Sequence, residues 1–145
     1  MFNPNPPLNT PKQMELELRH LAPYLPYGIL LLVEYKKDFT SRENFRKIEK
    51  WGLDINKPFE NRKGIISCKP LLRPLSDLTQ EIEHNGERFV PLEMLTIRSV
   101  QDFRAYPESP SVDWWAYKDV QKLFEYHFDV FGLLDKGLAL NLSSL

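Results

Sequence analysis

His127-Phe128-Asp129 sets an imidazole two residues from a carboxylate, the pairing that orients a general base. The segment reads as helix, however, and helical positions i and i+2 point about 200° apart. His127 also falls on an apolar stripe, so it reads as a core histidine bonded to backbone. Asp77, Glu81 and Glu83 offer carboxylates for acid–base work. Asp77 and Glu81 share a helix face at i, i+4, but that spacing equally gives a solvated acidic face, and this is the reading taken. Ser76-Asp77 reads as a helix start, not as a nucleophile beside its base. Cys68, His84 and His127 match no zinc spacing. The sequence holds no glycine-rich phosphate loop, HExxH, GxSxG or CxxC. No catalytic residue, metal ligand or cofactor is assigned.

Four residues remain as binding candidates: Lys69, Arg73, Trp114 and Trp115. Lys69 and Arg73 flank a stretch bracketed by Pro70 and Pro74. They are placed to clamp an anion, since arginine presents a planar fork to phosphate or carboxylate. They are equally placed to pair with acids of the C-terminal half, and that reading is favoured. Trp114 and Trp115 are adjacent, so on a helix they point about 100° apart and cannot both face one core. An exposed tryptophan is a candidate interface anchor. The alternative is that Trp114 packs under the linker 105–111.

These residues need a scaffold. The chain has 145 residues, 42% apolar, 12% aromatic and 27% charged, values that fit one folded soluble domain and exclude a wholly disordered one. The longest apolar run, Ile29 to Val33, is far short of the roughly 20 residues of a bilayer span. Residues 1–10 lack the basic and apolar regions of a secretory leader. A single cysteine, Cys68, permits no internal disulfide, and a cytoplasmic setting is expected.

Residues 1–9 read as a mobile Pro/Asn arm and 10–145 as a single domain. Thr10, Pro11 and Gln13 open a helix carrying Met14, Leu18 and Leu21 on one stripe, ended by Pro23, Pro26 and Gly28. Ile29–Tyr35 is a buried strand. Residues 40–55 stay open. Thr40 and Glu43 with Phe45, Ile48 and Trp51 spell a short helix, whereas Trp51, Leu53 and Ile55 alternate as a strand does. Residues 56–63 form a loop. A strand Ile65–Lys69 follows, with Pro70 and Pro74 marking the exit from the sheet. Ser76 caps a short helix to about Glu81. Asn85-Gly86 centres a hairpin that pairs His84 with Glu87, Glu83 with Arg88 and Ile82 with Phe89. Pro91 starts a helical turn through Leu95, and 97–101 reads as a strand. The strongest expectation is a long helix, Val112 to Phe128, burying Val120, Leu123, Phe124 and Phe128 against the sheet. A strand Leu138–Leu142 closes the chain.

The net charge of −1 hides an asymmetry. Residues 36–73 carry eleven Lys/Arg against five Asp/Glu, and residues 76–145 carry six against twelve. A basic segment of this kind can be a nucleic-acid face. It can also be the half of a domain attracted to its acidic half, and the slightly negative total favours that.

Two long strings, Lys69-Pro-Leu-Leu-Arg-Pro-Leu-Ser-Asp-Leu-Thr79 continuing to Asn85-Gly-Glu-Arg-Phe-Val-Pro91, and His127-Phe-Asp-Val-Phe-Gly-Leu-Leu-Asp-Lys-Gly-Leu-Ala-Leu-Asn141, follow Leu21-Ala-Pro-Tyr-Leu-Pro-Tyr-Gly28. Together they resemble a group of uncharacterised small proteins of bacterial prophages and mobile elements. The resemblance covers about half the chain and is poor over 36–64 and 96–112. It implies an extended segment over 44–54 and a phage or mobile-element setting, and it carries over no site residue.

The expectation is an α+β fold: a small, mostly antiparallel sheet, made of a meander plus the Asn-Gly hairpin. It packs against the long C-terminal helix and a shorter N-terminal one. The expected function is a non-enzymatic protein-interaction module, with nucleic-acid association through 36–73 as the alternative. A protein partner is favoured over nucleic acid, and no membrane is involved.

Overall fold

A computed structural model describes residues 16–36, 44–53 and 65–144. Strand β1 (Ile29–Lys36) lies between β2 (Asn44–Trp51) and β3 (Ile65–Leu72), antiparallel to both. Side chains of a strand alternate between faces. Ile29, Leu31 and Val33 of β1 and Trp51 of β2 therefore enter one core, while Leu30, Leu32 and Glu34 face outward with Arg46, Ile48 and Lys50. The last pair of β1 with β3 is Leu31 with Pro70, after which β3 changes partner and pairs in parallel with β6 (Leu140–Asn141). The four-stranded sheet is thus mixed, in the order β2-β1-β3-β6.

The open segment 40–55 contributes β2, an extended strand over Asn44–Trp51. Pairing with β1 outweighs the local helical signals: Tyr35 stacks on Phe45 at 5.2 Å, and Glu49 accepts hydrogen bonds from Tyr35 Oη and Trp51 Nε1. Leu53 lies beyond the strand and is exposed, so the alternation through Ile55 does not set its register. The arm 1–9, Thr10, Met14, the pair Thr40–Glu43 and the loop 56–63 lie outside the described residues.

The N-terminal helix α1 (Leu18–Leu21) is a single turn, continued by a 3-10 segment, Ala22–Tyr27. Pro23 and Pro26 sit inside that segment instead of ending it, and Gly28, at φ 66°, makes the turn into β1. Leu21, Tyr24 and Leu25 seal the inner face of the sheet with Leu72, Leu133 and Ala139.

The hairpin forms as its sequence requires. Strands β4 (Ile82–His84) and β5 (Glu87–Phe89) pair in the expected register, and Asn85 and Gly86 take φ 52° and 84°. Ser76 does not cap a helix; it lies within a 3-10 turn, Leu75–Thr79, that begins after Pro74.

Two expectations fail in the C-terminal half. Residues 97–101 are not a strand but the start of helix α2 (Ile97–Ala105). Its buried positions are Ser99 and Phe103, at i, i+4, while Ile97 is 75% exposed. A polar residue on the buried stripe hides the helical period. The long helix does not form either. Val112–Trp114 is a 3-10 turn, Trp115 and Ala116 are extended, and helix α3 runs only from Tyr117 to Glu125. Tyr117, at the head of the expected stripe, is 76% exposed. Of the expected core residues, Leu123 and Phe128 are buried, and Val120 and Phe124 are half-buried. Helix α3 packs on the 3-10 segment Ala22–Tyr27. Leu123 and Phe128 join Leu78, Ile82, Leu92, Phe103, Val112 and Trp115 in a second apolar cluster. Among the described residues, no helix is long and apolar enough to cross a membrane.

Candidate interaction surface

The two tryptophans have opposite fates. Trp115 is 8% exposed and Trp114 is 89% exposed. Asp102 on α2 produces the difference. One of its carboxylate oxygens accepts the Ser111 N–H at 2.7 Å and the Trp115 indole N–H at 2.8 Å. This draws the Val112–Trp114 turn onto α2 and seats Trp115 in the second cluster, so its neighbour is left outward. Trp114 therefore does not pack under the linker 105–111.

Helix α2 is held from its other end by Asp119 of α3, which is fully buried. Its carboxylate accepts the Thr96 N–H at 3.1 Å, the Thr96 hydroxyl, and the Ser99 hydroxyl at 2.6 Å. Burial pushes its pKa up, but the hydrogen bonds from Ser99 and Thr96 outweigh this and hold it below the usual carboxylate range. A groove of about 660 Å³ runs between α2 and the turn, lined by Thr96, Arg98, Gln101, Asp102, Trp114 and Ala116 among others. Asp102 and Asp119 both bond inward, whereas Arg98 is exposed at the groove. The opposite flank of α2 carries a second hollow of about 480 Å³, with Leu92, Leu95, Ile97 and Val100 in its wall. Asp102 and Asp119 had no signal in the sequence, because their partners lie on other elements, and nothing in the local pattern marks Arg98.

Lys69 and Arg73 do not converge. Four extended residues span about 13 Å. Lys69 lies on the outer sheet face, beside a small hollow of about 150 Å³ shared with Glu34, Arg46 and Ser67. Arg73 is buried, and its guanidinium donates to the carbonyls of Tyr126 and Glu83. Its backbone N–H donates to the His127 carbonyl at 2.7 Å, and its own carbonyl accepts the Asp129 N–H at 2.8 Å. Its guanidinium is thus taken up by backbone carbonyls and not turned toward Lys69, and among the described residues no ion pair joins it to an acid. Arg73 staples the end of β3 to the end of α3. Burial lowers its pKa, opposed by the charge of Asp77.

His127 is likewise structural. Helix α3 ends with its N–H donating to the Phe124 carbonyl at 3.1 Å and the Phe128 N–H donating to the Leu123 carbonyl at 2.8 Å. This closure places His127 where glycine is usual, at φ 63°. Its ring lies edge-on to His84 with centroids 5.1 Å apart, and among the described residues Nε2 has no hydrogen-bond partner. The Asp129 carboxylate turns away and accepts the Leu133 and Leu134 N–H groups at 2.8 and 2.9 Å. The His–Asp spacing therefore builds no acid–base pair. Glu81 and Glu83 are exposed and face Arg88 across the hairpin, at 3.9 and 3.3 Å.

Compared with protein-family models, curated proteins and solved structures, the chain matches none of them.

Proposed function

We propose that the chain is a non-enzymatic interaction module, of the accessory kind carried by prophages and mobile elements, with Trp114 as the anchor for a partner protein. The observation that carries this reading is the 89% exposure of Trp114 beside a groove whose walls are fixed by side-chain hydrogen bonds. Tryptophan is among the residues most enriched at binding hot spots, and a rigid platform lowers the entropic cost of docking. The partner that fits presents an apolar or aromatic side chain to the indole and a carboxylate to Arg98.

The test is capture from nuclease-treated and untreated host lysate by the immobilised chain and by Trp114→Ala and Arg98→Glu. The expected result is a protein retained through nuclease treatment and lost with either variant. Capture of the same set by Trp114→Ala, or loss of all captured material on nuclease treatment, overturns the reading.

A second reading, nucleic-acid association, is favoured by one observation: Arg46, Lys50 and Lys69 share the outer sheet face with Ser67. Among the described cations of the segment, Lys47 faces the other way and Arg73 is buried. In this reading, single-strand affinity falls with salt by about 0.7 log units per log unit for each phosphate neutralised. Replacing Arg46, Lys50 and Lys69 by Ser flattens that slope.

A further inference from the structure

Strand β2 closes one side of the sheet, and among the described residues no strand pairs with its outer edge. The edge is eight residues long, Asn44 to Trp51, with Phe45 and Ile48 about half exposed. A row of unpaired backbone donors and acceptors is a template for another strand. We propose that the occupant is a second copy of this chain, with β2 pairing antiparallel to β2 of the other copy about a twofold axis through Ile48.

Register selects this axis. A twofold axis perpendicular to the sheet keeps inner faces together, so residues directly opposite must come from the same face. The axis must then pass through a residue. An axis at Arg46, Lys47 or Glu49 sets like charges against each other at the centre, which is destabilising. An axis at Ile48 sets Ile48 against Ile48. On the inner face it then sets Lys47 against Glu49 and Phe45 against Trp51, each pair occurring twice by symmetry. Opposite charges and aromatic pairs are the cross-strand combinations that stabilise antiparallel sheets. The one adverse pair, Arg46 with Lys50, lies on the solvent face, where Glu34 already sits 3.9 Å from Arg46. The same edge carries three cations, Arg46, Lys47 and Lys50, and lysine is also the residue that guards unpaired edges. What favours pairing over guarding is that Glu49 meets Lys47 in the register that also joins the apolar residues.

Sedimentation equilibrium of the full chain decides the question. The expected result is a reversible dimer that Ile48→Lys weakens about tenfold or more with unchanged circular dichroism. Lys47→Glu alone also weakens it. An equimolar mixture of Lys47→Glu and Glu49→Lys recovers a heterodimer, because each charge again meets its opposite. Glu49 holds Tyr35 and Trp51, so a folding defect in that variant is covered by a second measurement. A short thiol cross-linker should join Ile48→Cys chains, in a Cys68→Ala background, and should fail to join Asn44→Cys chains. A chain that stays monomeric, a dimer that Ile48→Lys leaves intact, or the absence of the Ile48→Cys cross-link overturns the proposal.

Discussion

His20, His84 and His127 share one electrostatic fate. Each pKa is lowered, chiefly by burial, and His127 is pushed down to about 4, with the neighbouring His84 and Arg73 adding to the effect. The unfolded chain takes up these protons near the ordinary value of 6.5. Between about 4 and 6.5 the unfolded state binds more protons, so stability rises with pH and is lost as pH falls through that window. His127 alone accounts for up to about 3 kcal/mol. Asp129, whose pKa burial raises, acts in the opposite sense above its ordinary value of 3.8, so the measured dependence is the net of the two. Urea unfolding at neutral and mildly acidic pH should show the loss, and His127→Asn should remove most of it. Asparagine accepts the left-handed backbone that this position imposes. A pH dependence left unchanged by that substitution would be against this assignment. The burial of His127 was legible from its place on the apolar stripe, but its left-handed backbone was not, because the helix end depends on where Phe128 packs.

Elements legible from local sequence are those whose determinants are local. The Asn85-Gly86 hairpin is the clearest, since two residues that tolerate positive φ fix the turn and the turn fixes the register. A Cβ on Gly86 would meet nothing within 4 Å, so any penalty there is conformational. Gly86→Val should cost about 1–2 kcal/mol and Gly86→Asn much less, read from urea midpoints. Equal midpoints would mean that the turn imposes no constraint. Helix α3 is the opposite case. Its apolar spacing runs on toward Val112, but Trp115 takes an extended conformation to reach the second cluster and Asp102. The short helix is tested by a pair of substitutions. Leu123→Ala should cost about 2–5 kcal/mol, as loss of a buried leucine does, while Tyr117→Ala stays within about 0.5. Comparable losses would restore Tyr117 to the core.

At the scale of the molecule, two apolar clusters are joined by polar contacts near the end of α3. Tyr24 is fully buried; its hydroxyl donates to the Phe128 carbonyl and accepts the Val130 N–H at 3.2 Å, from 104 and 106 residues away. Arg73 and Asp129 complete the junction. Tyr24→Phe keeps the ring and removes both hydroxyl contacts, leaving the Val130 N–H and the Phe128 carbonyl bonded to each other at 3.0 Å. It should cost about 1 kcal/mol in urea unfolding, as loss of a net hydrogen bond does, and a neutral result would mean that the hydroxyl contacts add nothing to stability. The segments around Arg73 and from His127 to Leu134 meet at this junction, so they mark the packing of the chain on itself. Composition and periodicity alone determined an α+β chain with a buried central strand and an Asn-Gly hairpin, because propensity, turn chemistry and alternation act over a few residues. Only the tertiary structure decided that 97–105 is helix, that Val112–Phe128 breaks at Trp115, that β6 joins in parallel and that Trp114 is left outside. Each of those outcomes rests on contacts between residues distant in sequence, such as Asp119 with Ser99, Asp102 with Trp115 and Leu71 with Leu140, whose energies no local pattern encodes.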